Sequence, residues 1–237
     1  ELLDEGCLVR HNIPIQGATR MSLAVFERAT GQEYRFVPEG PLVAEAEWQA
    51  ALDFCAAIEC EWLVASGSLP RGVPADFYAR LSAILIRRGI RLIVDTSGAA
   101  LSAVLEAGGV FLAKPSQGEF EALTGTTYAS AADIGEAAMA FVRSGKVQHL
   151  TVTLGHLGAV MAYPGGVDIR PALPVEVKSA TGAGDSFVAG ILHGFARGED
   201  ATGAFRWGMA AGTAAVLTPG TDLCQSADIR RLHATMG

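Results

Sequence analysis

Arg91-Leu92-Ile93-Val94-Asp95-Thr96-Ser97-Gly98 is followed, after a short helical segment, by Val110-Phe111-Leu112-Ala113-Lys114-Pro115-Ser116. Both Arg91–Val94 and Val110–Ala113 are short, nearly continuous apolar runs that end in polar turn residues. Such runs suit strands buried on both faces, the condition of a parallel sheet covered by helices. Working outward, the alternation of strand and helix holds from Trp62 to Leu154. Trp62–Ala65 is a strand-like run, and Pro74 opens a helix near its first position. That helix runs to about Arg88, with Gly89 as its stop. Helices are predicted over Gln117–Leu123 and Ala131–Val142. Strands are predicted over Val147–Leu154, Ala159–Tyr163 and Val175–Val177. Three helices close the chain: Asp185–Arg197, Ala201–Leu217 and Ala227–Met236. The pattern is that of an α/β fold with a mostly parallel sheet.

Ahead of this region, Met21–Phe26 and Glu33–Val37 flank the turn Ala29-Thr30-Gly31, which predicts a β-hairpin within about residues 15–37. Val43–Glu59 is helical by pattern, with Trp48, Leu52 and Cys55 on one face. A single α/β domain with a small β extension is expected over residues 1–237. Glu1–Glu5 reads as the last turn of a helix that Gly6 ends, and five residues make no helix alone. The natural chain is therefore expected to begin earlier.

The chain has 237 residues, 50% hydrophobic and 18% charged, with a net charge of −7. Disorder is excluded by that composition, and no basic stripe suggests nucleic acid as a partner. The longest apolar stretch, Met209–Leu217, is far too short to span a bilayer. Cys7, Cys55, Cys60 and Cys224 show no CxxC spacing, and the five His show no HExxH pattern. Free thiols and a cytoplasmic location are expected, with no zinc.

In open α/β sheets, ligands bind outside the carboxyl ends of the strands. Four polar loops lie at such ends: Ser66-Gly67-Ser68, Asp95-Thr96-Ser97, Lys114-Pro115-Ser116 with Glu119, and Leu154-Gly155-His156. Turn residues follow every strand, but a lysine directly after a buried strand aims a charge at the rim. Ala180-Thr181-Gly182-Ala183-Gly184-Asp185-Ser186 is sharper still. It joins a predicted strand to a long helix rich in small residues, Ala189, Gly190 and Gly194 among them. Successive Gly and Ala let backbone N–H groups converge into an anion-binding nest, and the helix N-terminus adds partial positive charge. Asp185 could accept a proton there from a hydroxyl that attacks a phosphorus. Equally, Asp185 could cap the helix while the glycines allow close packing. Residue chemistry alone leaves both readings open. Neither GxxxxGK[ST] nor GxGxxG is present.

The run Thr181-Gly182-Ala183-Gly184-Asp185-Ser186-Phe187, followed by Val188-Ala189-Gly190-Ile191-Leu192, resembles the C-terminal signature of the PfkB family, the ribokinase-like carbohydrate kinases. Other landmarks agree in order and spacing. They are Ser66-Gly67-Ser68-Leu69-Pro70, Val94–Gly98, Lys114-Pro115 with Glu119, Thr153-Leu154-Gly155, Gly208–Ala215 and Pro219-Gly220-Thr221. Thr19-Arg20 and Glu33–Val37 look most like the minor 6-phosphofructokinase branch. The resemblance implies a three-layer α/β/α fold with a small β lid, and ATP-dependent phosphorylation of a sugar phosphate. Fructose 6-phosphate is the first expectation; fructose 1-phosphate, tagatose 6-phosphate and a non-catalytic nucleotide-binding relic are the alternatives.

By the same resemblance, Asp185 is the catalytic base, and the N–H groups of Gly182, Ala183 and Gly184 stabilise the transferring phosphoryl group. Arg20 reads the sugar's phosphate, which the planar guanidinium fork suits, and Ser68 contacts the sugar. Lys114, Thr153, Gly155 and Gly158 lie along the nucleotide. Glu119 orders Mg²⁺ through water. The carbonyls of Ser179, Thr181, Ala215 and Gly220 are candidates for a monovalent cation, K⁺. A homodimer through the lid is implied as well. Two departures from the family pattern stand out. Ser116 occupies the place of the Asn in the NxxE motif, which predicts weaker Mg²⁺ or phosphate positioning. The family's N-terminal portion, with its first strand, a sugar-binding Asp and a Gly-rich loop, is missing. A molecule truly lacking it is expected to bind sugar poorly and to expose a sheet edge.

Overall fold

The computed structural model describes residues 8–30 and 32–236, so the turn expected at Glu1–Gly6, Cys7 and Gly31 lie outside the described residues. The chain divides into two compact units, Glu1–Glu59 with Leu69–Pro74 and Cys60–Ser68 with Ala75–Gly237.

In the smaller unit the expected hairpin is present. Strands β1 (Leu23–Glu27) and β2 (Gln32–Phe36) pair antiparallel, with Leu23 opposite Phe36 and Val25 opposite Tyr34. Directly opposed residues share a face, so these four side chains form one apolar surface, and all four are exposed. Helix α1 (Glu45–Ala57) buries Trp48 and Leu52, as the spacing predicts. It starts two residues later than the pattern suggests: Ala44 is extended, with φ of −74° and ψ of 159°, and stands as the N-cap. Glu47 then accepts the Ala44 N–H at 2.7 Å and closes the first turn.

The larger unit is a six-stranded sheet. Its strands are β3 (Trp62–Ser66), β4 (Arg91–Asp95), β5 (Val110–Ala113), β6 (Val147–Thr153), β7 (Ala159–Tyr163) and β8 (Gly166–Arg170), hydrogen-bonded in that order. Strands β3 to β6 run parallel, and β6, β7 and β8 form an antiparallel meander. The sheet core is dry: Leu92, Ile93, Val94, Leu112, Leu150, Val152 and Met161 are fully buried. Side chains alternate across a strand. Ile93, Leu112 and Met161 meet α6 (Ala183–Ala196) and α7 (Ala201–Ala215) through Phe187, Ile191 and Phe205. The helices α2 (Phe77–Arg87), α3 (Gly98–Ala107), α4 (Gln117–Thr124) and α5 (Ala131–Arg143) connect the parallel strands, and α5 packs on β6, β7 and β8. Helix α8 (Ser226–Ala234) buries Leu232 against α7. Among the described residues, no helix is long and apolar enough to cross a membrane.

Three further sequence expectations need correction. Helix α2 starts at Phe77 with Asp76 as its N-cap, so Pro74 lies in the turn ahead of it rather than at its first position. Val175–Val177 is not a strand; the third strand of the meander is Gly166–Arg170, paired with β7. Pro171 and Pro174 flank the way into Val175 and lack the N–H that a ladder needs. Val175 packs instead near Ala210, Ala214 and Leu232. Helix α6 also starts at Ala183 rather than Asp185, which sets Asp185 inside its first turn. The small residues of α6 and α7 have a packing role of their own. A side chain at Gly190 would strike the Trp207 carbonyl, and one at Gly208 would lie 2.5 Å from Ile191 Cγ1.

Candidate active site

The register of the parallel strands gathers the polar loops at one end of the sheet. Ser66 and Asp95 are paired last residues of β3 and β4. Lys114 directly follows β5, and Thr153 is the last residue of β6. The Thr153 N–H donates to the Pro115 carbonyl at 3.1 Å, which ties the β6 end to the lysine loop.

Lys114 is buried, and its Nζ lies 3.1 Å from Asp95 Oδ1. A Cβ added at Gly184 would stand 3.3 Å from that Nζ, so the ammonium rests against the first turn of α6. Asp185, third residue of α6, accepts a hydrogen bond from Ser66 Oγ at 3.4 Å. Burial pushes the Asp95 carboxyl above its ordinary value; the Lys114 charge and hydrogen bond oppose this, and the Asp185 and Glu119 charges add to it. Asp95 thus pairs with the buried ammonium and also feels the charges of Asp185 and Glu119.

Gly182 holds φ of +77° at the N-cap of α6, a left-handed conformation that costs an L side chain roughly 1–2 kcal/mol. No side chain caps this helix. The first N–H groups of a helix have no intrahelical partners, and here they end in an exposed glycine turn. The Ala183 N–H bends back to the Ala180 carbonyl at 3.4 Å. The site thus offers partial positive charge from the helix, a fixed ammonium beside it and an exposed carboxylate in its first turn.

Ser116 is the N-cap of α4. Its Oγ accepts the Glu119 N–H at 3.4 Å, and its own N–H donates to Glu119 Oε2 at 2.7 Å. This reciprocal pair is a capping box, so the serine fixes the backbone that carries Glu119. Gly155 opens a short 3₁₀ turn, Gly155–Leu157, with φ of +60°. Gly158 has φ of +115°, and a side chain there would collide with the Arg170 carbonyl. Close approach of β8 by itself accounts for glycine at that position.

Ser179 is buried and its Oγ accepts the Thr181 N–H at 3.2 Å. The Lys178 N–H bonds the Val216 carbonyl at 2.8 Å, setting this segment beside the end of α7. The Ala215 carbonyl accepts from Thr218 Oγ1 at 2.8 Å. Gly220 follows in the turn that Thr218 Oγ1 closes onto the Asp222 carbonyl. Ser68 is exposed, two residues past β3, in the same compact unit as Asp185. Arg20 is exposed in the smaller unit, with its Cδ beside Gly40.

The structure brings Lys114, Asp95, Glu119, Gly184 and Asp185 together. The Ser66 contact with Asp185 was not foreseen; residues 119 apart in the chain carry no local signal of such a bond. Tyr78, whose hydroxyl donates to the Gly67 carbonyl at 3.0 Å, also escaped the sequence reading.

Comparison with known proteins identifies the family. The family model described as pfkB family carbohydrate kinase matches residues 5–228, and the chain belongs to that family. It is 39% identical over 221 residues to the ATP-dependent 6-phosphofructokinase isozyme 2 of Mycobacterium tuberculosis strain H37Rv, covering 92% of this chain. The chain spans 65% of that relative's length, just under two thirds. Phosphofructokinase-2 from Escherichia coli, in complex with potassium, superposes with a TM-score of 0.93 at 36% identity. That match covers 99% of this chain and 76% of the other. The fold is ribokinase-like: Arabidopsis thaliana ribokinase, 18% identical, gives a TM-score of 0.69 over 92% of this chain and 70% of its own.

Proposed function

We propose that this protein transfers the γ-phosphoryl group of ATP to a sugar phosphate, converting fructose 6-phosphate to fructose 1,6-bisphosphate. The observation that carries this reading is Asp185 standing in the first turn of the uncapped helix α6, with the buried Lys114 against Gly184. Asp185 takes the proton of the attacking sugar hydroxyl. That oxygen forms a bond to the γ-phosphorus as the bond from phosphorus to the β–γ bridging oxygen breaks, and ADP leaves. The N–H groups of Gly182, Ala183 and Gly184 and the helix dipole receive the charge on the phosphoryl oxygens. Such a transfer depends on positioning and charge stabilisation rather than on covalent catalysis. Lys114, Thr153, Gly155 and Gly158 line the nucleotide, Ser68 contacts the sugar and Arg20 binds its phosphate.

The donor set fits Mg²⁺. Asp95, Asp185 and Glu119 outnumber Lys114, and all offer hard oxygen. Among the described residues, no group of three or more such side chains forms a ready metal cage. Mg²⁺ keeps most of its waters and phosphate ligands, so a water-mediated contact from Glu119 suits it. When bound, the ion neutralises phosphate charge. The carbonyls of Ser179, Thr181, Ala215 and Gly220 are the proposed K⁺ ligands. A cytoplasmic location follows from dependence on ATP.

The test is ATP-dependent phosphorylation of fructose 6-phosphate, fructose 1-phosphate, tagatose 6-phosphate and fructose side by side. Fructose 6-phosphate should give the highest kcat/KM. Arg20→Ala should raise the KM for the sugar phosphate about 10–100-fold, the worth of a charge-assisted hydrogen bond, with the KM for ATP unchanged. Preference for fructose 1-phosphate would make the protein a 1-phosphofructokinase. ATP binding without turnover on any sugar would leave the nucleotide-binding relic.

We also propose a homodimer through the lid. The exposed apolar face of Leu23, Val25, Tyr34 and Phe36 supports it, since a two-stranded ribbon with such a face is marginal alone. Sedimentation should show a dimer, and Val25→Asp should shift it to monomer. A monomeric wild type would refute the proposal.

A further inference from the structure

The end of strand β3 is held unusually firmly for an exposed loop. Ser66 pairs with Asp95 in the β3–β4 ladder. The next N–H, of Gly67, donates to the Asp95 carbonyl at 2.8 Å. The Gly67 carbonyl accepts from the hydroxyl of the buried Tyr78 at 3.0 Å. Burial pushes the Tyr78 phenol up, so it remains a protonated donor. The backbone on both sides of the Ser66 side chain is therefore fixed by bonds within one compact unit. From that platform Ser66 Oγ reaches Asp185 Oδ1 at 3.4 Å.

We propose that Ser66 is a positioning residue for the reaction: its hydroxyl orients the Asp185 carboxylate so that Oδ2 faces the sugar hydroxyl. This rests on the reading of Asp185 as the base. A carboxylate on a helix can rotate about its terminal torsion, which is broad and two-fold. A donor on one oxygen selects one orientation and leaves the second oxygen's lone pairs for the proton. Hydrogen bonds in unliganded sites are often long and tighten when substrate binds, so 3.4 Å is a fitting resting length.

The experiment is a double-mutant cycle on the full protein. Ser66→Ala should lower kcat about 10-fold, with the KM for ATP and for the sugar phosphate within two-fold of wild type. Ser66→Thr, which keeps the hydroxyl, should recover most of the loss. In the Asp185→Asn background, Ser66→Ala should add no further loss, because the group it orients has ceased to act. Thermal midpoints should match wild type, since Ser66 is exposed. Unchanged kcat in Ser66→Ala, additive losses in the double variant, or a raised sugar-phosphate KM at unchanged kcat would each overturn the proposal. If Asp185→Asn alone retains wild-type turnover, the assignment of the base fails instead.

Discussion

Asp185→Asn should reduce kcat by about 10²–10⁴-fold, the range that a positioned general base contributes. The substitution keeps the size and planarity of the side chain and an oxygen for the Ser66 hydroxyl. What it removes is the capacity to take a proton. The structural cost is small: Asp185 is exposed in the first turn of α6, where a carboxylate's favourable interaction with the helix dipole is worth about 0.3–1 kcal/mol. ATP affinity should be equal or slightly tighter, because one negative charge leaves the neighbourhood of the phosphates. Single-turnover transfer and calorimetric ATP binding separate these outcomes. A matched fall in turnover and ATP affinity would make Asp185 a nucleotide ligand. Unchanged turnover would remove it from the chemistry and with it the mechanism given above.

The parts of the fold legible in the sequence are those set by short-range physics. Buried parallel strands are runs such as Leu92-Ile93-Val94, and their polar ends place Asp95 and Lys114 at one rim. The hairpin of β1 and β2 follows from a turn between two alternating runs. Errors arose where a distant partner decides. Gly166–Arg170 is a strand because β7 supplies its ladder, whereas the more apolar Val175–Val177 follows a proline and has none. The same holds at the site. Lys114 and Asp185 declare themselves through local context, a charge after a buried strand and a carboxylate after a glycine turn. That Lys114 is paired to Asp95, and Asp185 to Ser66, depends on how the sheet brings three loops together. Ser116 shows the converse. As a departure from the family motif it looked like a defect, yet it caps α4 and holds Glu119 through a reciprocal pair. Asn and Ser are comparable N-caps, so local helix geometry tolerates the exchange.

Lys114→Met should destabilise the protein by about 3 kcal/mol at pH 7, since removing one partner of a buried ion pair strands the other charge. Both partners are largely buried, with the Lys114 and Asp95 side chains 8% and 17% exposed. Methionine replaces the apolar stem with little change in volume, so the loss is electrostatic rather than a cavity. At ~2–4 °C per kcal/mol for a chain of this size, the midpoint should fall roughly 6–12 °C. The pH dependence identifies the cause. Burial, with Asp185 and Glu119 nearby, already raises the Asp95 carboxyl, and Lys114 is the group that opposes this. Without the ammonium the carboxyl rises further. A carboxyl raised in the folded state binds its proton more tightly there than in the unfolded chain. Its penalty is therefore present above the folded value and is relieved as pH falls through it. The gap between wild type and Lys114→Met should be smaller at a lower pH than at pH 7, and adding Asp95→Asn to the variant should recover most of the stability at pH 7. Catalysis should not recover with it, because the ammonium beside Gly184 would still be missing from the phosphate path. Melting curves of the three proteins at both pH values, with turnover measured in parallel, test each step. A gap that stays constant with pH would show that Lys114 acts through packing, and restored turnover in the double variant would take the lysine out of the phosphate site.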